Sequence, residues 1–406
     1  MVPSLPHMKV LLFLFLFLFF YLSDGVNGFL WSKESYRRKV SLELNPGLDP
    51  GTVLPPGVSL LHARALGTDD TLHFVLCSGG APALLLVHTD SNHSVLNVNW
   101  TAYISKHNVA SVKVLPESTV QYSSALVLTR LWEFDERNQS DVKVLPPYQL
   151  QDFSWDDMNR TINHTHLTAQ LCGTHTISNT SACIQFSGYE SGGRERAWPS
   201  LLHNANSSQL RVVLSGVKPR TNQSRLALEL QVVTGAELRS RVDVHRSIDD
   251  EHTPSIFKVS EWVWSGDNSS SSSSLVGYSQ WKPVAYRKNI PAIEDACPCS
   301  NSEPVPLPRP PTTPIISAFF THNPHTYGLN VSFHTVDEEG SDAVQFISWT
   351  VLAGIGTPPA DFFSPLVMSI MAVGLGTPLV LFVLGGVYIC IRKLRRDLSS
   401  SYQRIN

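Results

Sequence analysis

Three stretches of the chain alternate apolar and polar residues with a period of two. Leu96, Val98, Trp100 and Ala102 alternate with Asn97, Asn99 and Thr101; Leu226, Leu228, Leu230 and Val232 alternate with Ala227, Glu229 and Gln231; Leu329, Val331 and Phe333 alternate with Asn330 and Ser332. Successive side chains of a strand point to opposite faces, so this pattern predicts half-buried strands with Asn99 and Asn330 on their polar side. Short apolar runs predict further strands at 71–77, 83–88, 124–134, 210–215, 315–320 and 344–353. Between the two long apolar segments no stretch sustains a helical stripe. Short strands with Pro and Gly punctuation predict an all-β region of antiparallel sandwiches. A single core rarely serves so long a region, so two packed antiparallel β-sandwich domains are expected, 29–195 and 196–364, with the boundary in the polar stretch 187–206. The Pro-rich stretch 304–314 is expected to be a surface loop.

The two apolar segments set a topology. Residues 365–391 carry no charge, and about 20 apolar residues suffice to cross a bilayer core. Arg392, Lys393, Arg395 and Arg396 follow, and the positive-inside bias then places the tail 392–406 in the cytosol. At the other end, His7 and Lys9 precede an apolar run over 10–22 and the small residues Val26, Asn27 and Gly28. That is the form of a signal peptide, 1–28. The expected product is a single-pass type I membrane protein with 29–364 in the secretory lumen. Within the span, Ser369, Ala372 and Gly376 form a small-residue strip where another helix could approach, although small residues are common in spans generally. Pro378, one turn later, would interrupt a long contact there.

N-glycosylation acceptors support that topology. Asn92, Asn99, Asn138, Asn159, Asn163, Asn179, Asn206, Asn222, Asn268 and Asn330 each begin an Asn-x-Ser/Thr triplet, against about three expected from composition, and all ten lie between the apolar segments. Asn268 abuts the serine run 269–274, so accident accounts for that one equally well. Glycans on this scale suit a degradative compartment. The formal net charge is −3, and no nucleic-acid partner is expected. Fourteen histidines between 29 and 391 would move the surface toward positive charge in an acidic lumen. In the tail, Tyr402, Gln403, Arg404 and Ile405 form a Tyr-x-x-bulky-apolar peptide that a sorting adaptor could grip in extended form.

Five of the six cysteines fall in the expected oxidising lumen. Cys172 and Cys183 are the easiest pair, closing a short loop around Asn179. Cys297 and Cys299, separated only by Pro298, are poorly placed to bond each other and are expected to reach elsewhere. Cys77 is the expected buried free thiol, and Cys390 is either a small lipid-facing residue or a palmitoylation site.

Catalytic signatures are missing: no nucleophile elbow, zinc helix, phosphate loop or dinucleotide fingerprint occurs. His164 with His166, and His322 with His325, have metal-compatible spacing but lack a third ligand and read as surface histidines. Asp249, Asp250 and Glu251 beside His252 could be a calcium loop or the carboxylate pair of a glycoside hydrolase, but they read better as a solvated turn. Asp152, Asp156 and Asp157 around Trp155 are weighed the same way. No cofactor or metal is expected.

QYSSALVLTRLWEFD (121–135), DFSW (152–155), SIDDE (247–251), QWKPVAY (280–286), SPLVMSIM (364–371) and YQRIN (402–406) together resemble the glycosylated lysosomal membrane protein family across the mature chain. The resemblance implies a non-enzymatic role: an accessory subunit of a major-facilitator lysosomal transporter that exports dipeptides. The glycosylated domain would shield the transporter's luminal face from proteases, and the Tyr402–Ile405 signal would contribute sorting. The strip Ser369, Ala372 and Gly376 is then the candidate helix contact. A membrane-tethered lysosomal hydrolase acting through Asp249 and Asp250, and a partner-free glycocalyx protein, are the alternatives.

Overall fold

The computed structural model describes residues 36–400 apart from 56, 106–107, 138–141, 157, 159–160, 179, 222–223, 247–255, 267–274, 334–345 and 361–364. Its strands, in chain order, are β1 (Lys39–Leu44), β2 (Leu60–Leu66), β3 (Thr71–Cys77), β4 (Ala83–Thr89), β5 (Val95–Val98), β6 (Val112–Leu115), β7 (Val120–Asp135), β8 (Lys143–Gln149), β9 (Ser154–Trp155), β10 (Thr168–Thr174), β11 (Ser181–Gly188), β12 (Gly193–Arg194) and β13 (Leu202–His203). They continue with β14 (Ser207–Ser215), β15 (Ser224–Thr234), β16 (Arg239–Arg246), β17 (Lys258–Ser265), β18 (Leu275–Trp281), β19 (Val284–Tyr286), β20 (Ala296–Asn301), β21 (Val305–Leu307), β22 (His325–Phe333) and β23 (Phe346–Ile355). Among the described residues three α-helices accompany them: α1 (Trp100–Ile104), α2 (Pro314–Phe319) and α3 (Pro365–Ser400).

Nineteen of the described strands build two joined antiparallel sheets, while β5–β6 and β12–β13 form separate two-stranded ladders. The first runs β1-β2-β3-β4-β7-β15-β22, with β8 beside the second half of β7. The second runs β9-β10-β11-β14-β23-β18-β17-β16. β20 pairs with β19 through Ala296–Pro298 and with β22 through Cys299–Asn301, and so joins the sheets. Inward residues of both sheets share one core: Leu61, Phe74, Leu128 and Leu228 from the first meet Ile184, Trp262, Trp281 and Trp349 from the second. Phe74 packs on Phe186 at 6.4 Å and Phe333 on Trp349 at 6.4 Å. This is the expected antiparallel β architecture. Residues Tyr36–Asp361 form one compact unit. The expected division at 195 and 196 falls inside it, and ladders cross that point, since β11 pairs with β14 and β7 with β15.

The first sheet is buried on its other face as well. Leu60, Val75, Leu85, Val87 and Val127 meet a cover made of Trp100 and Tyr103 from α1, Val112 and Val114 from β6, and Ile315, Ile316 and Ala318 from α2. Two expectations fail in this cover. The run 315–320 forms a helix instead of a strand, because Pro314 is pre-set for a first helical turn and Ile315, Ile316 and Ala318 then share one buried side. The alternation through Ala102 stops at Val98. There the Asn99 side chain accepts a hydrogen bond from the Ala102 amide and caps α1, whose buried residues Trp100 and Tyr103 are three apart. Asn99 is therefore a helix cap, not the polar face of a strand.

α3 contains Val373–Lys393, a stretch of mean hydropathy 2.0 that is long and apolar enough to span a membrane. The helix runs through Pro378.

Candidate functional site

The most specific stretch of the sequence, 121–135, is the sixteen-residue strand β7 at the middle of the first sheet. Its chemistry is structural. Glu133, fully buried, accepts from the Arg220 amide at 2.5 Å, from Arg220 Nε at 2.5 Å and from Ser224 Oγ at 2.6 Å. Three donors compensate for removing the carboxylate from water. Arg220 in turn lies over the Tyr148 ring at 4.9 Å. One residue away, Trp132 Nε1 donates to Glu229 Oε2 at 2.7 Å, and Tyr122 accepts from Trp264 Nε1 across the sandwich.

The site with room for a ligand lies elsewhere, on the outer face of the second sheet. A cavity of about 340 Å³ opens there beside β16. Its floor is three neighbouring strands: Asp243 of β16 stands opposite Glu261 of β17, which stands opposite Gln280 of β18. Adjacent carboxylates repel, and neighbouring side chains offset this. Arg241 Nε donates to Asp243 Oδ2 at 2.8 Å, while Glu261 accepts from Gln280 Nε2 at 2.8 Å and faces His245 Nε2 at 3.2 Å. The walls are Arg194, Leu201 and Leu202 on one side, and on the other Thr357 to Ala360, the last described residues before α3. Gln280 Nε2 also donates to the Pro359 carbonyl at 2.9 Å and ties that wall to the floor. Buried Lys282 and exposed Arg246 complete the charged lining. Four basic side chains therefore face two carboxylates and one histidine. The arrangement suits ionic recognition of an anionic group over a partly apolar floor.

The expected site residues are dispersed. Asn99 and Asn163 are exposed, and Asn163 Oδ1 accepts from the Thr165 and His166 amides at 3.0 Å. Asn92, Asn206 and Asn330 are half-buried; Asn206 Oδ1 accepts from Arg38 Nε at 2.9 Å, and Asn330 sits inside the first sheet with no partner for its Oδ1. Asn138, Asn159, Asn179, Asn222 and Asn268 lie outside the described residues, as do the 1–28 segment, Asp249, Asp250, Glu251, His252, Asp157 and the peptide Tyr402, Gln403, Arg404 and Ile405. Cys172 and Cys183 are bonded, directly opposite each other on β10 and β11. Cys77 is the expected buried thiol, its pKa raised by burial. Cys299 is also an unbridged buried thiol, contrary to the bridge expected for it: β20 holds it in the core opposite Phe333. Cys390 is exposed on α3.

His164, His166, His322 and His325 are all exposed, and among the described residues no three metal-ligating side chains converge. Asp152 and Asp156 are exposed on either side of Trp155, which is buried and donates to the Leu150 carbonyl at 3.0 Å. Ser369, Ala372 and Gly376 all fall within α3, and the side chains of Ser369 and Ala372 lie outside the described residues. The cavity was missed from sequence. Its signal is the alternation of Val259, Glu261 and Val263 with Ser260, Trp262 and Trp264, which marks a strand with one charged position on a face that is otherwise apolar.

Residues 59–396 match the family described as "Glycosylated lysosomal membrane protein". The chain is 55% identical over 390 residues to the protein of that name from Danio rerio, covering 93% of this chain and 95% of the relative. It is 38% identical over 362 residues to the Bos taurus protein, covering 86% and 87%, and 37% identical over 384 residues to the Homo sapiens protein, covering 91% of each. With the match reaching from β2 to the basic end of α3, the chain belongs to the glycosylated lysosomal membrane protein family.

Proposed function

We propose that this protein is a heavily N-glycosylated type I lysosomal membrane protein and the accessory subunit of a multispanning lysosomal transporter. On this reading the β unit is luminal and covers the transporter, a major-facilitator carrier of dipeptides, against luminal proteases. The tail peptide Tyr402–Ile405 engages a sorting adaptor and supports lysosomal localisation. The observation that carries the reading is the presence in one chain of a compact β unit, bearing exposed acceptors such as Asn99 and Asn163, and of a helix long and apolar enough to span a membrane. A helix that spans a bilayer packs against lipid or against other spanning helices.

Affinity purification in mild detergent tests it. A stoichiometric multispanning partner is expected, and deletion of this chain should shorten the partner's lysosomal half-life unless luminal proteases are inhibited. An empty purification with an unchanged half-life favours a free-standing glycocalyx protein.

One observation favours a second reading, a membrane-tethered hydrolase: Asp243 and Glu261 stand opposite each other in the cavity. Paired carboxylates are the core of glycoside hydrolysis. Asp243→Asn with Glu261→Gln would abolish such an activity, while the subunit reading expects no activity to lose.

A further inference from the structure

The cavity beside β16 combines three features that the accessory-subunit reading leaves unused. β16 pairs with β17 on one side, and no ladder is formed on its other side among the described residues. Its alternate residues Arg241, Asp243 and His245 all line the cavity, so the open edge and the cavity belong to one surface. The lining carries more basic than acidic side chains, and no glycosylation acceptor lies in any segment that forms it.

We infer that this surface receives an extended acidic peptide segment, which adds as a strand to the β16 edge and places a carboxylate side chain in the cavity. An added strand satisfies unpaired backbone groups, and its alternate side chains fall on the cavity side with the same period as Arg241 and Asp243. The charge balance selects acidic over basic segments. A lipid headgroup would use the charge but not the edge, which is why a peptide fits better. Charged side chains on an edge strand also deter unwanted pairing; the cavity behind them is what a purely protective edge does not need. The inference rests on the subunit reading only for the owner of the peptide, which would then be a luminal loop of the transporter.

The test uses the full chain in detergent micelles and a fluorescein-labelled peptide of alternating Glu and Val, read by fluorescence anisotropy. Saturable binding is expected, with no comparable binding of the Lys and Val counterpart. Arg246→Glu should weaken binding at least tenfold, and because this side chain is exposed the variant's thermal unfolding should match the parent. Undiminished binding by the charge-reversed chain overturns the inference. So does equal binding of the Lys peptide, or Arg-dependent binding of phosphatidylserine vesicles without peptide binding. Partner purification separates the two proposals. Equal capture of a multispanning partner by parent and charge-reversed chains removes the cavity inference and leaves the subunit reading; peptide binding by a chain that captures no transporter does the reverse.

Discussion

Strands β3 and β16 are opposite solutions to the same problem. β3 sits between β2 and β4, and every one of its seven residues is buried, with Leu72, Phe74 and Leu76 facing the sandwich core and Val75 and Cys77 facing the cover. β16 has one ladder, and Arg239, Arg241, Val244, His245 and Arg246 are exposed. A strand buried on both faces is committed to packing and has nothing left with which to bind. A strand with an open edge and a charged face contributes little to the core and keeps its chemistry available. The fold is therefore divided between a first sheet committed to packing and an outer face of the second sheet that leaves charged side chains exposed.

Truncation should expose that division most strongly. Phe74→Ala removes an aromatic side chain packed against Phe186 and is expected to cost about 3–5 kcal/mol. Val244→Ala on β16 should stay within about 0.5 kcal/mol, since Val244 is 58% exposed. Urea midpoints of the two variants against the parent decide it; similar losses at both positions would erase the contrast.

Carboxylates sharpen the comparison next. Glu133→Ala in β7 strands the Arg220 guanidinium and the Ser224 hydroxyl beside a buried hole and should cost about 3 kcal/mol or more. Glu261→Gln at the cavity floor keeps a side chain that accepts from Gln280, and its partner His245 is exposed, so about 1 kcal/mol or less is expected. A Glu261 variant as damaged as the Glu133 variant would make the cavity floor part of the stabilising core.

Acid should also act on the first sheet, through a pair of rings. His62 Nε2 lies 3.0 Å from His73 Nδ1, the rings stack at 5.2 Å, and His73 Nε2 meets Ser94 Oγ at 2.9 Å. One ring donates and the other accepts, a contact that two neutral imidazoles can make and two protonated ones cannot. Burial lowers the pKa of His62 to about 4 and of His73 to about 3, with nearby Arg64 adding to both. The sign follows from the folded values lying below the unfolded one, near 6.5: the unfolded chain binds more protons as the pH falls through this window. Stability from the pair is thus complete above pH 6.5 and is lost progressively toward pH 4 and 3. Between pH 7 and 5 the loss should be about 2 kcal/mol per histidine. His62→Gln with His73→Gln should flatten that part of the stability profile relative to the parent; parallel profiles would remove the pair as its cause.

The same division explains what could be read before the fold was known. Strands 71–77, 83–88, 124–134, 210–215 and 226–232 were legible because burial writes apolar residues on one or both faces, and each lies within a strand of the structure. β8 was not legible: Pro146 and Pro147 interrupt its pattern, and its single ladder with β7 tolerates them. The run 315–320, five apolar residues and Ser317, fits strand and helix alike, and only the cover's need for a buried stripe decides between them. The cavity was illegible for a different reason. Arg194, Arg241, Glu261, Gln280 and Pro359 come from five separate segments, and only the register of β16, β17 and β18 brings them together.

Asn99 provides the finest cut, because it stands where the buried cover meets solvent. Its Oδ1 caps α1 by accepting from the Ala102 amide at 3.1 Å, while its exposed position leaves the amide nitrogen for a glycan. The two roles separate by substitution. Thr101→Ala destroys the acceptor triplet and keeps the cap, so it should speed electrophoretic migration by one glycan with little change in the urea midpoint. Asn99→Ala destroys both and should show the same migration shift plus a loss of about 1 kcal/mol. Asn330, half-buried on β22 between β15 and the β20–β21 segment, gives the contrast: a glycan there must leave from within a sheet, and Ser332→Ala should leave migration unchanged. A shift for Ser332→Ala equal to that for Thr101→Ala would mean that the sheet face carrying Asn330 is as open as the end of α1, and that the first sheet is less completely covered than β3 implies.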